Sequence, residues 1–128
     1  MKKLLVLVVV LSLVGAAGWS QKWFESYSPK WMISAWSILT KAANHPDSVS
    51  SSDMNQIVGF LAYVAGIAKF GSAIGALDLP YEVTPLDLVT VVGKYMDKHP
   101  DQAQNVDSPN FVFLALYDRY PGNWPWKK

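Results

Sequence analysis

The sequence predicts an all-α fold, a small bundle of about four helices that follows a signal peptide. Three apolar segments open with a serine or threonine before proline, at 28–29, 84–85 and 108–109. Serine and threonine cap helix N-termini well, and proline is tolerated in the first helical turn. Two segments stop at a His-Pro pair, at 45–46 and 99–100, because proline cannot continue a helix.

Length and composition restrict the protein class. With 128 residues the chain has room for one domain. Hydrophobic residues make up 51% and charged residues 16%, a balance that argues against disorder. The absence of cysteine excludes disulfides and thiolate metal sites. No basic stripe is visible, so we expect no nucleic-acid partner.

The first 18 residues have the features of a signal peptide. Lys2 and Lys3 form a positive n-region, an apolar run covers 4–14, and small residues allow cleavage after Ala17 or Gly18. The run is shorter than the ~20 residues of a membrane-spanning helix. We therefore expect a single periplasmic or secreted domain over residues 19–128, which touches a membrane only if the signal sequence is not removed.

Apolar residues at helical spacing predict the course of the chain. We expect helices over about 28–44, 54–68, 84–99 and from 108 onward. A glycine-rich connection at 70–83 and a polar loop at 101–107 separate the later helices.

The helix from Met54 to Ala68 has two interpretations. It holds no charge before Lys69 and is rich in glycine and alanine. One interpretation is a central helix that is buried on all sides, and the other is a membrane span with small residues at its packing face. Asn55 and Gln56 shorten the apolar stretch and weigh against the span.

Six tryptophans are many for this length. Trp31 and Trp36 fall within a predicted helix, so we expect them in the core. The remaining tryptophans either pack on the bundle or contribute to an interface, where aromatic residues are enriched. They are Trp19, Trp23, Trp124 and Trp126.

The tripeptide His-Pro-Asp occurs twice, at 45–47 and 99–101. J-domain co-chaperones carry such a motif after a basic helix, but the helix before residue 99 is apolar. A histidine in the last turn of a helix can donate to free carbonyls, so both copies read as helix stops. His45 and His99 each adjoin an aspartate, yet their spacing indicates no metal site. We find no catalytic constellation and expect a protein that is not an enzyme and has no cofactor.

The segment 77–121 resembles the Rap1a/Tai immunity-protein family in the order and spacing of its motifs. "AYVAGI" at 62–67 adds a resemblance upstream. The matching motif residues are Leu79, Pro80, Val83, Thr84, Val91, Val92, Lys94, Tyr95, His99, Pro100, Asp101, Ala115, Leu116, Tyr120 and Pro121. Family members commonly carry disulfide-forming cysteines near the Leu-Pro and after the terminal proline. Here Asp78 or Leu79 and Gly122 stand in those two regions.

The resemblance implies a small helical periplasmic protein that binds and occludes a peptidoglycan amidase delivered by a type VI secretion system, often as a homodimer. The loop from His99 to Asp107 is our candidate for the contact surface, and a plain solvated connector is the alternative. The contact residues that we predict are His99, Asp101, Gln102, Gln104, Asn105 and Asp107. A second function class also remains open, a general periplasmic helical chaperone or an envelope structural protein.

Overall fold

The computed structural model describes residues 27–123, and this part of the chain is mostly helical and contains no strand. The predicted all-α class is therefore confirmed. The predicted signal peptide and four tryptophans lie outside the described residues. These four are Trp19, Trp23, Trp124 and Trp126.

The described residues form five α-helices, four of which match the four predicted ones. They are α1 (Pro29–Asn44), α2 (Ser51–Ala73), α3 (Pro85–Lys98), α4 (Pro100–Asn105) and α5 (Ser108–Arg119). A short 3-10 turn, Pro46–Ser48, links α1 to α2. The extra helix, α4, occupies most of the predicted polar loop.

The predicted caps at the starts of α1 and α3 are confirmed. The Ser28 hydroxyl accepts a hydrogen bond from the Trp31 N–H at 3.2 Å. Thr84 and Asp87 cap α3 reciprocally, because each side chain accepts a hydrogen bond from the other residue's backbone N–H, at 3.0 and 3.1 Å. The cap predicted at Ser108 is wrong, since Asp107 is the N-cap and Ser108 is the first helical residue of α5.

Both His-Pro pairs end their helices as predicted. The His45 N–H donates to the Lys41 carbonyl oxygen at 2.8 Å, and the His99 N–H donates to the Tyr95 carbonyl oxygen at 2.9 Å. The backbone N–H of each histidine thus bonds a carbonyl oxygen in the last turn, and the proline that follows has no N–H with which to continue the helix.

The core forms where α2 meets α1, α3 and α5. Phe60, Val64 and Ala68 of α2 are fully buried there. They share a core cluster with Met32 and Ala35 of α1, Leu88, Val89, Val92 and Met96 of α3, and Phe111, Val112, Ala115 and Leu116 of α5. One contiguous core therefore serves all four long helices.

The expectation that α2 is buried on all sides is wrong. Its buried residues lie on one face, while Met54 and Val58 on another face remain 49% and 55% exposed. The helix is also longer than predicted, because Ser50 and Asp53 form a capping box at its start and it continues to Ala73. Its length and composition are those of a helix that can cross a membrane. Within residues 27–123, the neighbouring helices cover the core-facing side of α2 and leave Met54 and Val58 exposed.

We expected Trp31 and Trp36 in the core. Both pack against it, but from half-buried positions at its edge. Trp36 joins α1 to α3, since its indole lies directly on Gly93 and its Nε1–H donates to the Asp97 carboxylate at 3.2 Å. A Cβ at position 93 would overlap the indole ring. Glycine at this position is therefore what allows α1 and α3 to approach.

Gly93→Ala is expected to lower the free energy of unfolding by ~1–3 kcal/mol, because the added methyl group displaces Trp36 from its place. Gly66→Ala is the matched control, since a Cβ there meets nothing within 4 Å. This control is expected to be neutral or to stabilise by up to ~1 kcal/mol through helix propensity. Urea unfolding measures both variants. Equal effects at the two positions would contradict the assigned role of Gly93.

The cap of α3 makes part of the stability depend on pH. Hydrogen bonds from the backbone and the side chain of Thr84 lower the pKa of the Asp87 carboxyl below its ordinary value of 3.8. Because the folded-state pKa is the lower one, the stabilisation is present above the ordinary value and is lost as the pH falls through the folded value. Asp87→Asn should thus destabilise the protein near neutral pH and lose this effect in acid.

Unfolding by urea at a series of pH values checks this expectation. Thr84→Ser keeps the capping hydroxyl and should retain the pH dependence of the wild type. A gap between Asp87→Asn and the wild type that stays constant with pH would rule out the assigned contribution.

Candidate functional site

The segment predicted as the contact loop is a helical corner between α3 and α5. Proline at position 100 begins α4 directly after His99, and the Val106 N–H closes the helix on the Gln102 carbonyl oxygen at 2.9 Å. The loop prediction is therefore wrong in conformation. We call His99–Asp107 the corner segment.

The corner segment presents most of the predicted contact residues to solvent. Asp101, Gln102, Gln104, Asn105 and Asp107 are all exposed, and His99 is half-buried. The structure thus brings the predicted polar groups together on one short outer surface.

Two of these side chains are engaged locally. The Asn105 Nδ2 donates to the Asp101 carbonyl oxygen at 2.8 Å. The two carboxylate oxygens of Asp107 accept from the Asn110 Nδ2 at 2.8 and 3.0 Å. Within residues 27–123, the side-chain amides of Gln102 and Gln104 make no hydrogen bond, so their donors and acceptors are available to a partner.

The inner side of the corner segment is fixed to the bundle. Ala103 is 1% exposed, Val106 packs against the core, and α4 contacts α1, α3 and α5. The His99 ring lies 4.3 Å from the Tyr95 ring, which in turn lies 5.4 Å from Phe111. The polar outer surface is therefore carried by a packed element.

Two hydroxyl groups are buried without a hydrogen-bond partner among the described residues, those of Tyr63 on α2 and Ser108 on α5. Burial raises the pKa of the Tyr63 phenol, and the negative charge of Asp107 and the phenol of Tyr27 raise it further. Tyr63 therefore stays neutral, and its ring stacks on Tyr27 at 4.8 Å. These contacts are consistent with a packing role for Tyr63.

A groove between α3 and α5 begins at the corner segment. Lys94, Tyr95, Lys98 and His99 line its α3 side, and Arg119 lines its α5 side, around a volume of about 240 Å³. We call it the α3/α5 groove. Sequence reasoning missed Lys98 and Arg119. The four-residue spacing of Lys94 and Lys98 was a usable signal, whereas the approach of Arg119 depends on how α5 packs.

The connection between α2 and α3 meets the segment just after α5 in space. Residues 76–78 and residues 120–122 pair in an antiparallel manner, and we call this pairing the terminal bridge. The Asp78 N–H donates to the Tyr120 carbonyl oxygen at 3.0 Å. The Gly122 N–H donates to the Ala76 carbonyl oxygen at 3.1 Å. Backbone hydrogen bonds join the two segments, and Leu77 and Tyr120 also pack in or against the core.

Most of the other motif residues have structural roles. Ala115 and Leu116 are fully buried, and Leu79 and Val83 pack against the core from partly buried positions. The motif residues with exposed side chains are Pro80, Thr84, Lys94, Pro100, Asp101 and Pro121.

Among residues 27–123, no three His, Cys, Asp or Glu side chains lie together in a way that could hold a metal ion. The corner segment and the groove instead offer hydrogen-bonding and charged groups for non-covalent contact. No protein-family model, no curated protein and no solved structure matches the chain.

Gly122→Ala is expected to lower the free energy of unfolding by ~1–3 kcal/mol. A Cβ at this position would lie 2.6 Å from the Gly75 carbonyl oxygen and 2.8 Å from the Ala76 carbonyl carbon, so the terminal bridge must open to accept it. Asn123→Ala, one exposed residue further on, is the control and should change little. Thermal unfolding compares the two variants, and an unaffected Gly122→Ala protein would show that the bridge adds nothing to stability.

Proposed function

We propose that this protein is a periplasmic, non-catalytic immunity-type protein of the Rap1a/Tai kind, which binds a peptidoglycan amidase toxin and occludes its active-site groove. The terminal bridge is the observation that carries the proposal. The resembled family commonly has cysteines in the two regions that Asp78 and Gly122 occupy here. These two regions pair by hydrogen bonds in this chain.

The buried motif residues give further support. Tyr95, Ala115 and Leu116 lie in or against one core, and Thr84 caps the helix that contributes to it. Motif residues that lie far apart in the sequence but contribute to one core are typical of positions that maintain a fold. This supports reading the resemblance as structural kinship.

Occlusion requires a surface that can enter a groove without large reorganisation. The corner segment meets this requirement, because its outer side carries free amides at Gln102 and Gln104 while Ala103 fixes its inner side. A contact surface that is already ordered loses less conformational entropy on binding. Hydrogen-bonding groups on such a corner suit the polar walls of a hydrolase groove.

The second candidate function is a general periplasmic chaperone or envelope structural protein. The exposed apolar residues of α2 favour it, namely Met54, Val58 and Phe70. Such a surface can hold unfolded or apolar segments of many proteins. The two candidates differ in selectivity, since an immunity protein captures one enzyme and a chaperone captures many.

Co-expression with candidate peptidoglycan amidases directed to the periplasm tests the proposal. The wild-type protein is expected to prevent lysis by one amidase and to be recovered in complex with it. Gln102→Arg combined with Gln104→Arg should abolish protection, because two bulky charges replace the contact amides. The unfolding midpoint of this variant should stay unchanged, because both side chains are exposed.

Asn55→Arg on the exposed side of α2 is the control and should protect as the wild type does. Protection against no amidase, with none recovered, would overturn the proposed function. Full protection by the Gln102→Arg/Gln104→Arg variant would instead remove the corner segment as the contact surface.

A further inference from the structure

We propose that the α3/α5 groove binds an acidic segment of a protein partner, whose carboxylates pair with Lys94, Lys98 and Arg119. This inference shares one assumption with the proposed function, namely that the molecule bound in the groove is a protein. It assigns a second contact surface, with its own chemistry, beside the corner segment.

The floor and walls of the groove differ in character. Val91 contributes apolar surface above the buried Ala115, while Lys94, Lys98 and Arg119 contribute positive charges from two different helices. Such a groove fits a chain segment that alternates apolar and acidic side chains. The apolar groups would cover the floor, and the carboxylates would reach the cationic walls.

The cationic side chains of the groove form no ion pair with a protein carboxylate within residues 27–123. The ammonium groups of Lys94 and Lys98 make no hydrogen bond there, and the Arg119 guanidinium lies 5.3 Å from the centre of the Tyr120 ring. Asp118 is the one acidic residue among the groove-lining residues. Lys94 and Lys98 are four residues apart on one helix, so they repel each other in the free protein. A bound carboxylate would relieve this repulsion, which makes the site complementary to negative charge.

The groove continues into a second depression of opposite charge. Thr90, Val91 and Arg119 line both depressions, and the second one also has Glu82 and Asp87. A uniformly anionic polymer such as a nucleic acid would be attracted at one end and repelled at the other. A protein segment can change its charge along its length, so this pattern favours a protein over a nucleic acid.

Fluorescence anisotropy with the purified full-length protein tests the assignment. The probe is a short labelled peptide of alternating glutamate and leucine, and the comparison probes are its lysine–leucine counterpart and single-stranded DNA. We expect the acidic peptide to bind and the other two to bind far more weakly. Binding should weaken as salt is added, because exposed charges are screened.

Charge-neutralising variants locate the binding. Lys94→Gln and Lys98→Gln should each weaken peptide binding by up to about fivefold, the size of one exposed ion pair, and the double variant should weaken it further. Lys41→Gln and Lys69→Gln remove the same charge from α1 and α2 and should leave binding unchanged. The substituted lysines are all exposed, so the unfolding midpoints should agree among the variants.

Three results would overturn the assignment. They are no binding of the acidic peptide, equal binding by the Lys94→Gln/Lys98→Gln variant, and tighter binding of DNA than of the peptide. The outcome is independent of the amidase test. Protection from an amidase without peptide binding removes only the groove proposal, while peptide binding without protection removes only the immunity function.

Discussion

Burial of one face of α2 is the interaction on which the rest of the structure depends. Phe60, Val64 and Ala68 are fully excluded from water, and α1, α3 and α5 each contact this helix. A fully buried side chain of the size of valine or phenylalanine contributes ~1.5–3 kcal/mol. Since the helices are joined to one another largely through this face, the corner segment and the α3/α5 groove keep their shape only while it stays packed.

The small size of the domain makes local fixings important. A chain of this length buries a smaller fraction of its surface than a large domain does, and this chain has no cysteine with which to form a cross-link. The terminal bridge joins the connection between α2 and α3 to the segment after α5, and Trp36 on Gly93 joins α1 to α3. Hydrogen bonds and close packing thus join distant parts of a chain that has no cysteine.

The starts and ends of α1 and α3 were predictable because the residues that set them act locally. Serine or threonine before proline caps α1 and α3 through its own side chain, and each His-Pro pair ends a helix by removing a donor. The helix α4 was not predictable, since one buried alanine, Ala103, gives no periodic signal. The one-sided burial of α2 and the meeting of Lys98 with Arg119 depend on which helices become neighbours, and composition does not contain that information.

One side of α4 is packed on the core and the other is exposed to solvent, and this limits where its sequence can change in evolution. Ala103 is the buried residue of α4, while its neighbours at 101, 102, 104 and 105 are exposed. Substitutions at these four positions leave the core volume unchanged, so selection can alter them with little cost in stability. The chemistry of the outer surface of α4 can therefore change in evolution while the core of the bundle stays the same.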